Sequence, residues 1–410
     1  VAAPNPAAKP APVAGLDYPI FDCDNHYYEA LDAFQRHVDP ALGGRGVQWC
    51  EMDGRRYHVV GGRVSHAVRN ATFHPISKPG CLYEFLRGNP KGENPLARLR
   101  ESEPIPDHYR HPDARLRVMD AQGLEAIWLF PTLGVLYEQL LQPDVEAVTK
   151  VFTGFNRWLD EDWGLAYQGR IFAAPYFSLC DVEWACAELE WALARGARVL
   201  CTRPSAAWTK DGPRSPGDPL FDPFWARVNE AGITVVIHAG DSGYNTNGYA
   251  DDRFSAFGGG GESSYGRPSV KAWSFERAAL DFLATVIFDR LFERFPNLRV
   301  ASVENGSEFL PYLFRKLESS GRNLKRWYRE PPVETFRRRV WINPFWEDDV
   351  AEVAASMGPD RVLFGSDWPH VEGLPEPTHD LDAIRTHFGS ADQRRILRDN
   401  VRALNELAPA

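Results

Sequence analysis

The stretch Ile20-Phe21-Asp22-Cys23-Asp24-Asn25-His26-Tyr27-Tyr28-Glu29 begins as an apolar strand and ends in a row of metal-ligand side chains. Alternate side chains of a strand share a face. Asp22, Asp24 and His26 are therefore expected on one face with Ile20, and Phe21 and Cys23 on the other. Two carboxylates and an imidazole on a buried strand are costly to desolvate unless something pairs with them. A divalent cation is one such partner. Glu29, past the expected strand end, is placed to turn back toward the same ion. The alternative is a polar strand end held by neighbouring hydrogen bonds. The rest of the chain decides between them.

Short apolar runs recur along the chain and alternate with helical patterns. Strands are expected at residues 18–24, 125–131, 170–177, 197–202, 233–238, 298–304, 340–344 and 361–367. Helices are expected at 114–122, 144–167, 181–195, 221–231, 275–295, 307–319, 347–357, 379–387 and 392–407. Short strands without polar alternation, separated by helices, read as a parallel sheet covered on its faces. Eight of them predict an α/β chain folded as a (β/α)8 TIM barrel, whose site lies at the C-terminal strand ends. An open doubly wound sheet would want a Gly-rich phosphate turn after its first strand, and Asp24-Asn25-His26 is the opposite of one. Residues 30–113 interrupt the alternation. Asp53-Gly54 between two alternating segments signals a hairpin, and the Pro and Gly residues from Pro75 to Pro112 signal irregular structure. This is expected to be a cap inserted after strand 1. Residues 1–16 are Ala/Pro-rich and read as a flexible tail, leaving residues 17–410 as the folded unit.

The candidate ligands fall at strand ends. Asp24 and His26 end the first strand, His238 ends Ile233-Thr234-Val235-Val236-Ile237-His238, and Glu304 ends Val300-Ala301-Ser302-Val303-Glu304. Asp367 ends Val362-Leu363-Phe364-Gly365-Ser366-Asp367, with His370 three residues on. Each alone reads as a turn or hydrogen-bonded residue. Together, at one end of a barrel, they read as a centre for one or two divalent ions. Carboxylates and imidazoles without thiolate suit Zn, Mn or Fe. Such an ion lowers the pKa of its water to about 7 and polarises a carbonyl or carboxylate. Asp367 is placed to orient the water or act as base. His370 is placed to protonate a leaving group or to support Asp367. Arg203, ending the fourth strand, could hold a substrate carboxylate as a fork, or form an ion pair with a loop Asp. Tyr27, Tyr28, Trp208, Trp273, Trp346 and Trp368 could line an apolar or aromatic pocket, or pack the rim. The Gly-rich segment 241–268 could be a lid.

The 410-residue chain carries a formal net charge of -10 with its basic residues scattered. That argues against nucleic acid and anionic membranes as partners, and leaves a small molecule. No apolar run spans a bilayer. Six dispersed cysteines fit a reducing compartment, the cytoplasm.

These residues resemble a family. Asp24-x-His26, the strand-ending His238, Phe295-Pro296-Asn297-Leu298-Arg299 before a strand, and Ser366-Asp367-Trp368-Pro369-His370 together look like the amidohydrolase 2 branch of the metal-dependent amidohydrolase superfamily. The resemblance covers the chain from Asp17 onward except the inserted segment. It implies a TIM barrel with one or two divalent metals, and matching positions make Asp24, His26, His238 and Asp367 ligands. It implies a metal-dependent hydrolase or non-oxidative decarboxylase acting on a small, aromatic or apolar carboxylate or carbonyl substrate, and a homodimer. The chain departs from the family in having Asp24-x-His26 followed by Glu29 where His-x-His is common, and Glu304-Asn305-Gly306 where a Gly-His pair is common. The added carboxylates resemble a di-iron centre, and a few relatives on this fold are known as non-heme di-iron monooxygenases, so oxidation is the alternative. A non-catalytic partner subunit is a third expectation.

Overall fold

The computed structural model describes residues 10, 13–68, 70–244, 270–345 and 348–409. The first strand, β1 (Ile20–Tyr27), is buried along its whole length. After it come three antiparallel strands, β2 (Val47–Met52), β3 (Arg55–Val60) and β4 (Arg63–Val64), and a short antiparallel pair, β5 (Ile76–Ser77) and β6 (Ser102–Glu103). The β2–β3 turn falls at Asp53-Gly54, where φ is 50° and 70°. Two successive positive φ values are what a tight hairpin with matching twist requires, and Gly tolerates one freely.

The chain then enters its parallel part. β7 (Leu124–Pro131) pairs with both β1 and β8 (Ile171–Ala173). A second sheet runs in the order β14–β13–β12–β9, formed by β9 (Val199–Thr202), β12 (Thr234–His238), β13 (Arg299–Val303) and β14 (Val340–Ile342). Between β9 and β12 lies a small hairpin, β10 (Ala207–Thr209) and β11 (Gly212–Arg214). β7, β8, β12 and β13 are buried at nearly every residue. Helices cover them, which accounts for the unbroken apolar runs. The chain is thus α/β.

The two sheets meet at both edges. Beyond β8, Phe177 donates its N–H to the Cys201 carbonyl (2.8 Å), and Cys201 donates to Pro175 (3.0 Å). On the far side, residues 362–368 run between β14 and β1. Leu363 donates to Ile342 (2.8 Å), Cys23 to Phe364 (2.9 Å), Asp367 to Asp24 (2.9 Å) and His26 to Trp368 (2.8 Å). This segment was expected as a regular strand. It is instead irregular, and Asp367, at φ 53°, turns it out of the extended conformation.

Capping signals place the helices well. Asp181 accepts from the Trp184 N–H at the start of Val182–Ala194, and Gly232, at φ 61°, ends Asp222–Ala231. The helix expected at 275–295 is broken into Ser274–Phe288 and Leu291–Arg294, with Arg290 at φ 58°. Helices Gly134–Leu141 and Pro332–Arg339 were not expected. Of the anticipated tail, residues 1–9 and 11–12 lie outside the described residues. The described part packs: Val13 and Leu16 lie against the core, and the Leu16 N–H donates to Val13. The segment expected as a lid lies outside the described residues over 245–268, as does Trp346. Among the described residues no helix is long and apolar enough to cross a membrane.

Candidate metal centre

Asp24 and His26 lie toward the end of β1, His238 ends β12, and Glu304 directly follows β13. Asp367 and His370 follow the segment that joins β14 to β1. Asp24, His26, His238 and Glu304 form one group of ligand-type atoms within 4.8 Å of one another, and His26, Glu304, Asp367 and His370 form a second. The groups share His26 and Glu304. His26 Nε2 lies 3.2 Å from Asp24 Oδ1, 3.2 Å from Asp367 Oδ1 and 3.6 Å from Glu304 Oε2. His238 Nε2 lies 3.3 Å from both Asp24 Oδ1 and Glu304 Oε2.

The donor set fits a divalent cation on more than proximity. Both ring nitrogens of His26, with Asp24 Oδ2 and Asp367 Oδ2, are buried without a hydrogen-bond partner. Buried polar atoms are normally paired, and each orphan costs about 1–3 kcal/mol. Four in one cluster point to a common ligand. His238 is pre-set for it: Nδ1 lies 2.9 Å from the Ala239 carbonyl, so it carries the proton and leaves the Nε2 lone pair facing the carboxylates. Glu304 and Asp367 hold φ values of 60° and 53°, a strained conformation for residues with a Cβ that tends to mark functional sites. Oxygen and imidazole donors without thiolate are the chemistry of Zn, Mn or Fe.

The electrostatics are those of an over-full acidic site. Burial alone would raise Asp24, but contacts with His238 and His26 hold it below its usual value. Burial would lower His26, yet Asp24, Asp367 and Glu304 drive it well above the imidazole range. Burial and then Glu304 push Asp367 well up. Positive charge is in demand here.

Supporting contacts fix the frame. Asp22 was expected on the ligand face. The β1–β7 register shifts between Asp22 and Asn25, which breaks the simple alternation. Its carboxylate instead takes the Asp24 N–H (3.0 Å), the Asn25 amide (2.9 Å), and the Ser366 N–H and hydroxyl (3.0 and 2.5 Å). Asp22 thus couples the segments carrying Asp24 and Asp367. Arg115, fully buried, donates to the His26 carbonyl at 2.6 Å.

Other expected residues take different places. Glu29 joins neither ligand group. Its Oε1 accepts the N–H groups of Leu133 (2.6 Å) and Gly134 (3.1 Å) at the start of helix Gly134–Leu141. These N-terminal donors have no partner within the helix, and a carboxylate satisfies them. Arg203 does not face the cavity. It is buried against Glu138 (Nε to Oε2, 3.1 Å), Gln139 (2.8 Å) and the Asp241 carbonyl. The ion-pair alternative holds, with a helix glutamate rather than a loop Asp. Trp208 sits on the β10–β11 hairpin, 37% exposed, and does not line the cavity. Nor do Tyr27, packed on Trp158 and Trp163, Trp273, 66% exposed, or Trp368, stacked on His108.

The cavity above the cluster measures about 930 Å3, near the upper end of the ~300–1,000 Å3 usual for small-molecule sites. His26, His238, Glu304, His370 and Glu372 line one part of it, and Tyr28, Arg55, Tyr57, Phe73 and His74 another. Residues between Gly54 and Ser102 therefore supply a wall. Tyr28 lines the cavity, and its hydroxyl donates to the Pro369 carbonyl (3.0 Å). Two residues at the site were missed from sequence. Glu372 lines the cavity with its carboxyl pushed up to about 8, by burial first and Glu304 second. Thr132 contacts His370 (2.9 Å). Thr132 directly follows a strand end, so the strand-end rule applied to 125–131 would have found it. Glu372 carried no such signal.

A parallel α/β chain with carboxylates and imidazoles gathered at its strand ends belongs to the class that binds a divalent ion there. Comparison with known proteins names the family. The amidohydrolase family model matches residues 21–404, and the chain belongs to that family. A solved amidohydrolase from Mycobacterium avium subsp. paratuberculosis K-10 is 39% identical, with a TM-score of 0.87, covering 96% of this chain and 100% of its own. The gamma-resorcylate decarboxylase of Rhizobium sp. (strain MTP-10005) is 24% identical over 308 residues, 72% of this chain and 87% of that protein. A dihydroxybenzoic acid decarboxylase from Polaromonas sp. JS666, solved with bound manganese and the inhibitor 2-nitroresorcinol, shares the fold at a TM-score of 0.56 and 19% identity, covering 79% of this chain and 93% of its own. These relatives are amidohydrolases and decarboxylases, and the oxygenase expectation finds no support among them.

Proposed function

We propose that this chain is a metal-dependent enzyme that removes CO2 without oxygen from a small aromatic carboxylate, with hydrolysis of a carbonyl compound as the second reaction the same site permits. The carrying observation is the pair of overlapping ligand groups, sharing His26 and Glu304, at the floor of a cavity wide enough for an aromatic ring. Decarboxylation is favoured over hydrolysis by the named activities of the gamma-resorcylate and dihydroxybenzoic acid decarboxylases.

In this reading Asp24, His26, His238, Glu304 and Asp367 hold the ion. When bound, it supplies positive charge to a substrate carboxylate or carbonyl oxygen. Asp367 is the proton-transfer group, and His370, 2.6 Å away through Nδ1, sets its orientation. Phe73, Tyr57 and Tyr28 offer ring surface. The edge hydrogen bonds at Cys201 and along residues 362–368 support one closed (β/α)8 barrel, with 30–113 as its inserted cap. Unpaired cysteines go with a cytoplasmic location, and a homodimer completes the reading.

The test is anaerobic incubation of metal-loaded protein with 2,6-dihydroxybenzoate and other hydroxybenzoates. Release of CO2 that is abolished by chelation and restored by manganese or zinc supports the proposal. Hydrolysis of aryl esters or amides with no CO2 from any benzoate selects the second reaction. Turnover that needs oxygen overturns both.

A further inference from the structure

Thr132 follows β7 and is held from two sides. Its hydroxyl lies 2.8 Å from the Tyr27 carbonyl and 2.9 Å from His370 Nε2. A hydroxyl has one proton to donate. A carbonyl can only accept. The proton therefore goes to Tyr27, and toward His370 the hydroxyl can only accept. Nε2 of His370 must then carry a proton.

We propose that Thr132 is a positioning residue of the site: it commits His370 to protonation at Nε2 and so fixes Nδ1 as the nitrogen that faces Asp367. Nδ1 lies 2.6 Å from Asp367 Oδ1, a charge-assisted distance. The ring has no other freedom, because it stacks on His26 at 3.9 Å between centroids and 29° between planes. Thr132 is itself held in place. Glu29 binds the N–H groups of Leu133 and Gly134, the next two residues. The glutamate that sequence pointed to as a ligand thus anchors the turn that aims Thr132. Outer partners that fix a histidine tautomer are worth 10–100-fold in affinity or activity.

The catalytic consequence rests on the proposed role of Asp367; the tautomer itself does not. The experiment separates the two. Protein labelled with 15N-histidine and loaded with zinc is examined by long-range 1H–15N correlation, with His370 assigned by comparison with His370→Gln. Wild type and Thr132→Ser should both show a protonated-type Nε2. Thr132→Val, which keeps the shape and loses the oxygen, should show a redistributed tautomer with unchanged zinc content and unchanged melting. With 2,6-dihydroxybenzoate as the probe, Thr132→Val should lower kcat about 10–100-fold with KM nearly constant, and Thr132→Ser should restore it. An unaltered His370 signature in Thr132→Val overturns the proposal, whatever the activity. An altered signature with full kcat keeps the tautomer assignment but removes the catalytic consequence.

Discussion

Asp24 carries more of the site than its size suggests. It touches both His26 and His238 through one oxygen and leaves the other buried without a partner. Asp24→Ala is expected to remove the point where β1 meets β12, and with it most metal retention, read as metal per chain after gel filtration. Arg203 gives the opposite expectation. Its guanidinium is paired with Glu138 in the interior, and breaking a buried pair from one side costs about 3–5 kcal/mol. Arg203→Ala should therefore lower stability by about that much in urea titration. The fraction still folded should keep its kcat/KM, because Arg203 lies outside the cavity. A large KM increase without loss of stability would return Arg203 to the substrate role.

Glu29 adds a pH signature at the same scale. Burial pushes its carboxyl up to about 7, against three backbone contacts that pull it down. The unfolded group titrates near 4.5. An acid whose folded pKa is raised contributes most below its unfolded pKa, and that contribution is lost as pH rises toward the folded value. In chelator-treated protein, stability should fall between about pH 4.5 and 7 by about 3 kcal/mol on this account. Glu29→Gln should reduce the slope in that window, to which Asp22 and Glu372 also contribute, as measured by denaturation at several pH values. An identical pH slope in the variant would show that the group titrates normally.

At the scale of elements, the centre depends on how closely residues 362–368 approach β1. Gly365 makes that approach possible: a Cβ there would stand 2.5 Å from Asp24 Cβ and 2.7 Å from Asn343 Oδ1. Gly365→Ala must shift one of them, and Asp24 is the one with chemistry to lose. Metal affinity should fall on the order of 10–100-fold, the range for disturbed support of a ligand, in competition with a chromophoric chelator. The elements also show what sequence could convey. Asp24, His26, His238, Glu304 and Asp367 were legible because each is a polar group closing an apolar run, and strands deliver such ends to one side. Asp22 and Glu29 were misread because alternation assumes an unbroken register, and because a carboxylate can serve helix N–H groups as well as an ion. Of the two readings open for Arg203, the ion pair holds because a strand-end residue can turn into the helical layer, here toward Glu138. Helix Pro332–Arg339 went unexpected although Pro331-Pro332 is a helix-start signal; helix Gly134–Leu141 opens on Leu133-Gly134 without a capping side chain, its cap being Glu29, about a hundred residues earlier.

For the whole molecule, the five side chains proposed to hold the ion come from positions 24, 26, 238, 304 and 367. An ion they share would tie β1, β12, β13 and the segment that bridges the two sheet edges. In the unfolded chain these groups are far apart and bind weakly, so the ion favours the folded state by mass action. At free metal 1,000-fold above its dissociation constant the gain is about 4 kcal/mol. Chelation should therefore lower the melting temperature as well as activity, by several degrees for a chain of this length, roughly 2 °C or less per kcal/mol. Calorimetry with and without chelator, followed by re-addition of manganese or zinc, reads this directly. Recovery of both melting and activity with the same metal would mean that the chemical centre is also a fastening of the fold. Loss of activity with unchanged melting would mean instead that the carboxylates and imidazoles hold their positions without the ion, through Asp22–Ser366 and Arg115 alone.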